Sequence, residues 1–127
     1  MPELKIRTTR NTEARNITAE VIESVRGKEG GLLHVYVPHT TCGLLINEAA
    51  DPDVVRDILD ALEKVAPKDR PYRHAEGNSH AHIKSSLLGC SVTIPWIREK
   101  PGLGTWQGIF LMEFDGPRER KVIITLQ

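Results

Sequence analysis

Between residues 91 and 126 three β-rich runs follow one another with little but turn-formers between them, and this spacing limits the available folds most. SVTIPWI (91–97), WQGIFLMEF (106–114) and KVIITL (121–126) are dense in β-branched and aromatic side chains. Lys100-Pro101-Gly102 and Asp115-Gly116-Pro117 separate them, and such short links predict an antiparallel meander. Upstream, Leu4 and Ile6 alternate with Lys5 and Arg7, the period of a strand with one buried face. LLHVYV (32–37) reads as a buried strand between the Gly30-Gly31 turn and Pro38.

Two helical patterns interrupt the strands. Thr18 opens a short one, with Val21, Ile22 and Val25 on one face and Gly27 to end it. The clearer one is DPDVVRDILDALEKVA (51–66). Asp51 can cap its first turn, and Pro52 suits the first helical position because no amide donor is needed there. Val54, Val55, Ile58, Leu59, Leu62 and Val65 share a face, while Asp53, Arg56, Asp57, Asp60 and Lys64 form a solvated one. Strand runs separated by isolated helices indicate an α+β fold. Residues 1–127 read as a single compact domain. It would have a mostly antiparallel β-sheet, half-barrel or sandwich-like, packed with two to three helices, and the chain is long enough to bury a core.

Charge narrows the function. Lys+Arg and Asp+Glu each number 17, so the formal net charge is +0. Nucleic acid and anionic membranes both require local positive surplus, so neither is expected as a partner. No stretch approaches the ~20 apolar residues that span a bilayer, and MPELKIRTTR lacks the apolar run of a signal peptide. Cys42 and Cys90 form no CxxC pair and read as reduced thiols of a cytoplasmic protein.

Three polar constellations carry the candidate chemistry. RHAEGNSHAHIKSS (73–86) holds His74, His80 and His82, three of the chain's 5 histidines. If RHAEGN is extended, His74, Glu76 and Asn78 point to one side, and His82 returns to the same pocket if the chain bends at Ser79. If residues 80–88 are helical, His82 and Lys84 face apart and Ser85 or Ser86 becomes the nearer neighbour of His82. Neutral imidazoles can ligate a divalent metal such as zinc or magnesium, with Glu76 as ligand or general base. The spacing is not a strong metal signature, so a metal-free polar pocket and a plain polar loop stay open beside it. His80 reads as peripheral.

PHTTCGLLINE (38–48) places His39 just after a strand end, Thr40 and Thr41 as hydroxyl donors, and amides around Gly43 in a turn able to bind an anion. Asn47 and Glu48 serve either helix entry or ligand contact. Cys42 reads as a buried small residue more readily than as a nucleophile. In GLGTWQGIF (102–110), Trp106-Gln107 either walls a planar ligand or, more ordinarily, fills the β core. Arg118, beside a turn, can grip phosphate or carboxylate or simply pair at the surface.

In this order, HTTCGLLINEAADPDV, HAEGNSHAHIKSSLLG and PGLGTWQGIFLMEFDGPRER resemble the YjbQ-like family, also called the secondary thiamine-phosphate synthase family. The match covers most of residues 33–120. The resemblance implies a compact α+β domain assembled as a homotrimer, with the matching polar residues in a pocket near a subunit boundary. Carried across, the candidates are His39, Thr40, Thr41, Asn47, Glu48, His74, Glu76, Asn78, His82, Lys84, Trp106, Gln107 and Arg118. Family members accept other small residues at the position of Cys42. The implied activity is a joining of a thiazole phosphate to a pyrimidine pyrophosphate. A (β/α)8 barrel needs about 250 residues, so this reaction would run on an unrelated scaffold.

The resulting expectation is a small-molecule enzyme with a phosphorylated or anionic substrate. Lys84 and Arg118 hold anionic oxygens, Thr40 and Thr41 donate, and one of His39, His74 and His82 moves a proton that Glu76 helps to orient. With a metal bound, His39, His74 and His82 become its ligands. The alternatives are a non-catalytic metabolite-binding or regulatory trimeric module, and an assembly protein whose polar cluster sits at the trimer boundary.

Overall fold

The computed structural model describes residues 2–127. In chain order the elements are β1 (Glu3–Arg7), β2 (Glu13–Asn16), α1 (Thr18–Ser24), β3 (Leu32–Tyr36), β4 (Cys42–Glu48), α2 (Pro52–Val65), α3 (Ser79–Leu88), β5 (Ser91–Ile97), β6 (Lys100–Pro101), β7 (Gln107–Glu113) and β8 (Glu119–Leu126). The strands form two antiparallel sheets, one ordered β1-β8-β3-β5-β6 and the other β2-β7-β4. Among the described residues no helix is long and apolar enough to cross a membrane.

The α+β reading holds, but the meander does not form. β5 pairs with β3, β7 with β2 and β4, and β8 with β1 and β3, so the long C-terminal runs never pair with one another. Their sequences are apolar enough to be central strands, and each finds an upstream partner. β7 is buried on both faces: Ile109 and Leu111 point into the space between the sheets, while Phe110 and Met112 point towards the helices. The first core gathers Leu33, Val35, Ile94, Val122 and Ile124 from one sheet and Leu44, Ile109 and Leu111 from the other, with Ile17, Val21 and Val25 at α1 and its ends.

The second core lies under α2 and α3, where Val55, Ile58, Leu59 and Leu62 cover Phe110, Met112 and Phe114. Asp51 caps α2 as its position suggests, its side chain accepting from the Asp53 amide at 2.9 Å, with Pro52 in the first turn. Val65 stays exposed. At α1 the cap position falls on Ile17; Thr18 instead accepts from the Ile109 amide at 2.8 Å and ties the helix to β7.

Three strands were hidden from the pattern, the shortest being the two-residue β6 within the expected Lys100-Pro101-Gly102 turn. The β2 stretch EARN alternates too weakly, and the β4 stretch CGLLINE reads as a loop leading into a helix. The anion-binding turn expected around Gly43 therefore does not form; Gly43 is a strand residue paired with Met112. Its lack of a side chain has another use. A Cβ there would lie 2.9 Å from the Gly89 carbonyl oxygen and 3.3 Å from the Leu88 Cβ. Glycine thus lets the end of α3 close onto β4, where the Leu44 amide donates to the Gly89 carbonyl at 3.0 Å.

Candidate functional site

α3 answers the question its histidines raise. RHAEGN is not extended but a run of turns, with Gly77 at φ +80 just before the helix. Once residues 79–88 are helical, four-residue spacing puts His82 above Ser86 and sends Lys84 to another face. His82 then borders two clefts. One, of about 490 Å³, is lined by His39, Thr40, Cys42, His82, Ser85, Ser86, Gly89 and Cys90. The other, also about 490 Å³, is lined by Tyr72, Arg73, His74, Ser79, His82 and Ile83.

The rings of His74 and His82 stand perpendicular with centroids 5.5 Å apart, and His74 Nε2 lies 3.6 Å from Glu76 Oε2. The Ser85 hydroxyl is buried beside the first cleft and has no partner among the described residues. An unsatisfied buried hydroxyl costs free energy that a ligand atom can recover.

His39 reaches this cleft from the segment between β3 and β4. The Lys121 amide donates to its Nε2 at 2.9 Å, which requires a lone pair there and puts the ring proton on Nδ1. Burial, and then the Arg120 guanidinium, hold its pKa below the ordinary 6.5, against the pull of Glu113. His39 is thus a neutral imidazole near pH 7 whose one lone pair is taken by the Lys121 amide, which leaves it the Nδ1–H as a hydrogen-bond donor. The Cys42 thiol beside it is pushed up to about 12 by burial, so it is not a thiolate nucleophile.

Other expected site residues are committed elsewhere. Lys84 is 1 % exposed and donates to Glu63 Oε1 at 2.6 Å and to His80 Nδ1 at 3.0 Å, its ammonium 5.8 Å from the Phe114 ring. His80 is therefore buried, not peripheral: burial and then Lys84 lower its pKa. Asn78 Nδ2 donates to Asp115 Oδ2 at 3.0 Å, leaving its own buried Oδ1 without a partner among the described residues. Arg118 donates to the same carboxylate oxygen at 3.2 Å and to the Asp115 carbonyl at 2.8 Å. Thr41 is buried and receives the Arg120 guanidinium on both its hydroxyl, at 2.8 Å, and its carbonyl, at 3.1 Å.

Asn47, Glu48, Trp106 and Gln107 lie at the opposite end of β4 and β7, where Glu48 pairs with Gln107 and Cys42 with Glu113. A seven-residue strand separates them from His39 and His82 by about 20 Å. Glu48 Oε2 accepts from the Asp51 amide at 3.2 Å, a helix-entry role, and Gln107 accepts from the Gly104 amide at 2.8 Å. Trp106 is 65 % exposed, so it fills no core.

The histidines His39, His74 and His82 do not converge as a metal set. Among the described residues no three His, Cys, Asp or Glu side chains come together to hold a metal ion, and His39 Nε2 already faces the Lys121 amide.

Ser85 and Ser86 join the site through the helix. Glu113 and Arg120 stand behind the site, with Arg120 joining Glu113 to Thr41. Their signal was available, since both are charged residues at inward positions of alternating strands: 109, 111, 113 and 120, 122, 124.

Fold and site together define a class: a compact α+β protein whose histidine-bearing helix closes over the mouth of a small sheet to leave a polar cleft. The model of the UPF0047 protein YjbQ-like family matches residues 2–127, and the chain belongs to that family. A UPF0047 protein of Methanocaldococcus jannaschii is 48% identical over 96% of this chain and 90% of its own length. UPF0047 protein YugU of Bacillus subtilis is 44% identical over 97% and 96% respectively. Among solved structures, an uncharacterized conserved protein of the same family from Clostridium acetobutylicum superimposes with a TM-score of 0.95 at 50% identity, covering 100% of both chains.

Proposed function

We propose that this protein is a small-molecule enzyme acting on a phosphorylated or otherwise anionic substrate, with His82 as its proton-transfer group and His39 as a neutral hydrogen-bond donor. The observation that carries the reading is His82 at the border of two clefts, one of which also holds neutral His39 and the unpartnered Ser85 hydroxyl. In this reading Thr40 and the unpartnered Ser85 donate to the substrate's anionic oxygens, Arg73 supplies positive charge on the other side, and His74 with Glu76 orients His82. Lys84 is a strut within the fold, and Arg118 orders Asp115 and Asn78.

The reaction proposed is the joining of a thiazole phosphate to a pyrimidine pyrophosphate, in which a new C–N bond forms as pyrophosphate departs. A histidine that protonates the departing oxygen is the natural contribution of this cleft. A homotrimer belongs to the same proposal. A neighbouring copy would bring the distant set of Asn47, Glu48, Trp106 and Gln107 towards the cleft, which the exposure of Trp106 supports. A second reading, a non-catalytic metabolite-binding or regulatory module, is favoured by the inert Cys42 thiol and by the number of polar groups already paired within the chain.

The test follows the imidazole signals of His39, His74 and His82 during titration with inorganic phosphate and with each phosphorylated substrate. Saturable shifts at His82 and His39 are expected. Shifts confined to other residues would overturn the placement of the site.

A further inference from the structure

β8 holds the His39–Thr41 segment at two points. The Lys121 amide reaches His39 Nε2 at 2.9 Å, and one residue earlier the Arg120 side chain turns inward to the hydroxyl and carbonyl of Thr41. In a strand a backbone amide lies in the plane of the sheet and a side chain stands out of it, so the Lys121 amide and the Arg120 side chain can grip both ends of a three-residue segment. The grip is only as firm as Arg120 itself, and Glu113 holds it. Arg120 Nε donates to Glu113 Oε1 at 2.8 Å and its Nη2 pairs with Glu113 Oε2.

Glu113 in turn accepts from the Thr8 hydroxyl at 2.8 Å on one oxygen, and from the Phe114 and Asp115 amides, each at 3.1 Å, on the other. Every one of those partners sits on a different part of the framework: the residue that follows β1, the residue that follows β7 and the turn beyond it. Arg120 and Glu113 are 2 % and 0 % exposed, so neither meets solvent or a ligand directly. A purely structural pair would not need to end on the carbonyl and hydroxyl of the segment that carries a cleft histidine.

We propose that Arg120, locked by Glu113, is a positioning residue that sets the tautomer and placement of His39 through Thr41. The assignment deepens the proposed function, in which the Nδ1–H of His39 donates to the substrate, and rests on it for its catalytic meaning. Its mechanical content does not: the clamp fixes which imidazole nitrogen carries the proton, whatever the reaction. The ion pair costs desolvation that an apolar pair would avoid, and it holds the Arg120 guanidinium in a bidentate fork.

The experiment reads the ligand-free protein, so it is independent of turnover. Imidazole nitrogen signals report the tautomer of His39, and amide exchange reports the Lys121 donor. Wild type is expected to show the Nδ1–H form with Nε2 unprotonated. Arg120→Lys keeps the charge but loses the fork, and Thr41→Val removes the hydroxyl while keeping the shape and the buried pair.

In both variants His39 should become a tautomer mixture, and the Lys121 amide should exchange faster by roughly fivefold, the factor of one net hydrogen bond. Thr41→Ser should restore the wild-type spectrum, and the His74 and His82 signals should stay in place throughout. If Arg120→Lys does not fold, Thr41→Val and Thr41→Ser alone decide. A folded Thr41→Val protein with the wild-type His39 tautomer and Lys121 exchange rate overturns the proposal. Turnover surviving His39→Gln would instead overturn the role of His39 towards the substrate and leave the clamp standing.

Discussion

Replacing Lys84 with methionine separates a strut from a ligand contact. The Lys84 ammonium lies 2.6 Å from Glu63 Oε1 and 3.0 Å from His80 Nδ1, and it bridges α3 to α2. Breaking a fully buried pair costs about 3–5 kcal/mol, mostly from the charge left behind. Here the charge left behind is Glu63, which is 45% exposed and regains water, and the buried His80 Nδ1 can take the ring proton itself once its donor is gone. Methionine keeps the packing of the stem, so what is lost is close to one charge-assisted hydrogen bond, about 1.5–2 kcal/mol. In a chain of this length that lowers Tm by roughly 6–8 °C.

Thermal unfolding at pH 7.5 reads the loss. The double variant Lys84→Met/Glu63→Gln should add little to it, because the two residues share one interaction. Phosphate affinity of the folded variant should be unchanged. A Tm within about 1 °C of wild type together with lost phosphate binding would refute the strut and restore Lys84 as an anion contact.

Three further outcomes follow from the packing and the protonation states. Gly43→Ala puts a Cβ 2.9 Å from the Gly89 carbonyl oxygen, so it should cost about 1–3 kcal/mol and move the His82 signal; an unchanged Tm would mean α3 does not rest on β4. His39 and His80 both titrate below 6.5 in the fold, chiefly through burial, so the unfolded chain takes up their protons first. Stability from these two groups is complete above about pH 6.5 and is lost as pH falls through their folded pKa values, which denaturant melts between pH 8 and pH 5 should show. A stability that rises on acidification would contradict it. A thiol-alkylating reagent at pH 7 should modify exposed Cys90 and spare Cys42 until the protein is unfolded, as mass spectrometry would show; early labelling of Cys42 would contradict its burial.

Where one local rule dominated, the sequence was readable. Asp51-Pro52 and the six apolar positions behind them specify α2 because capping and periodicity agree. The strand runs 32–37, 91–97, 106–114 and 121–126 are strands because nothing else suits so many β-branched side chains. Pairing was not readable, since the partner of each strand is chosen by the fold as a whole: β7 lies between β2 and β4, two strands that local pattern concealed. The site divides the same way. His39, His74 and His82 stood out as chemistry, yet Lys84 and Thr41 look equally reactive in sequence and turn inward in the fold. Helical phase decides Lys84, and the reach of Arg120 decides Thr41.

The most direct measurement is pyrophosphate release from a mixture of the thiazole phosphate and the pyrimidine pyrophosphate, by wild type and by His82→Gln. Wild type should form the joined product with one pyrophosphate each, and His82→Gln should lose about 10²–10⁴-fold in rate while still binding the substrates. Equal rates in the two proteins, or a wild type that binds both substrates and releases no pyrophosphate, would contradict the proposed enzyme.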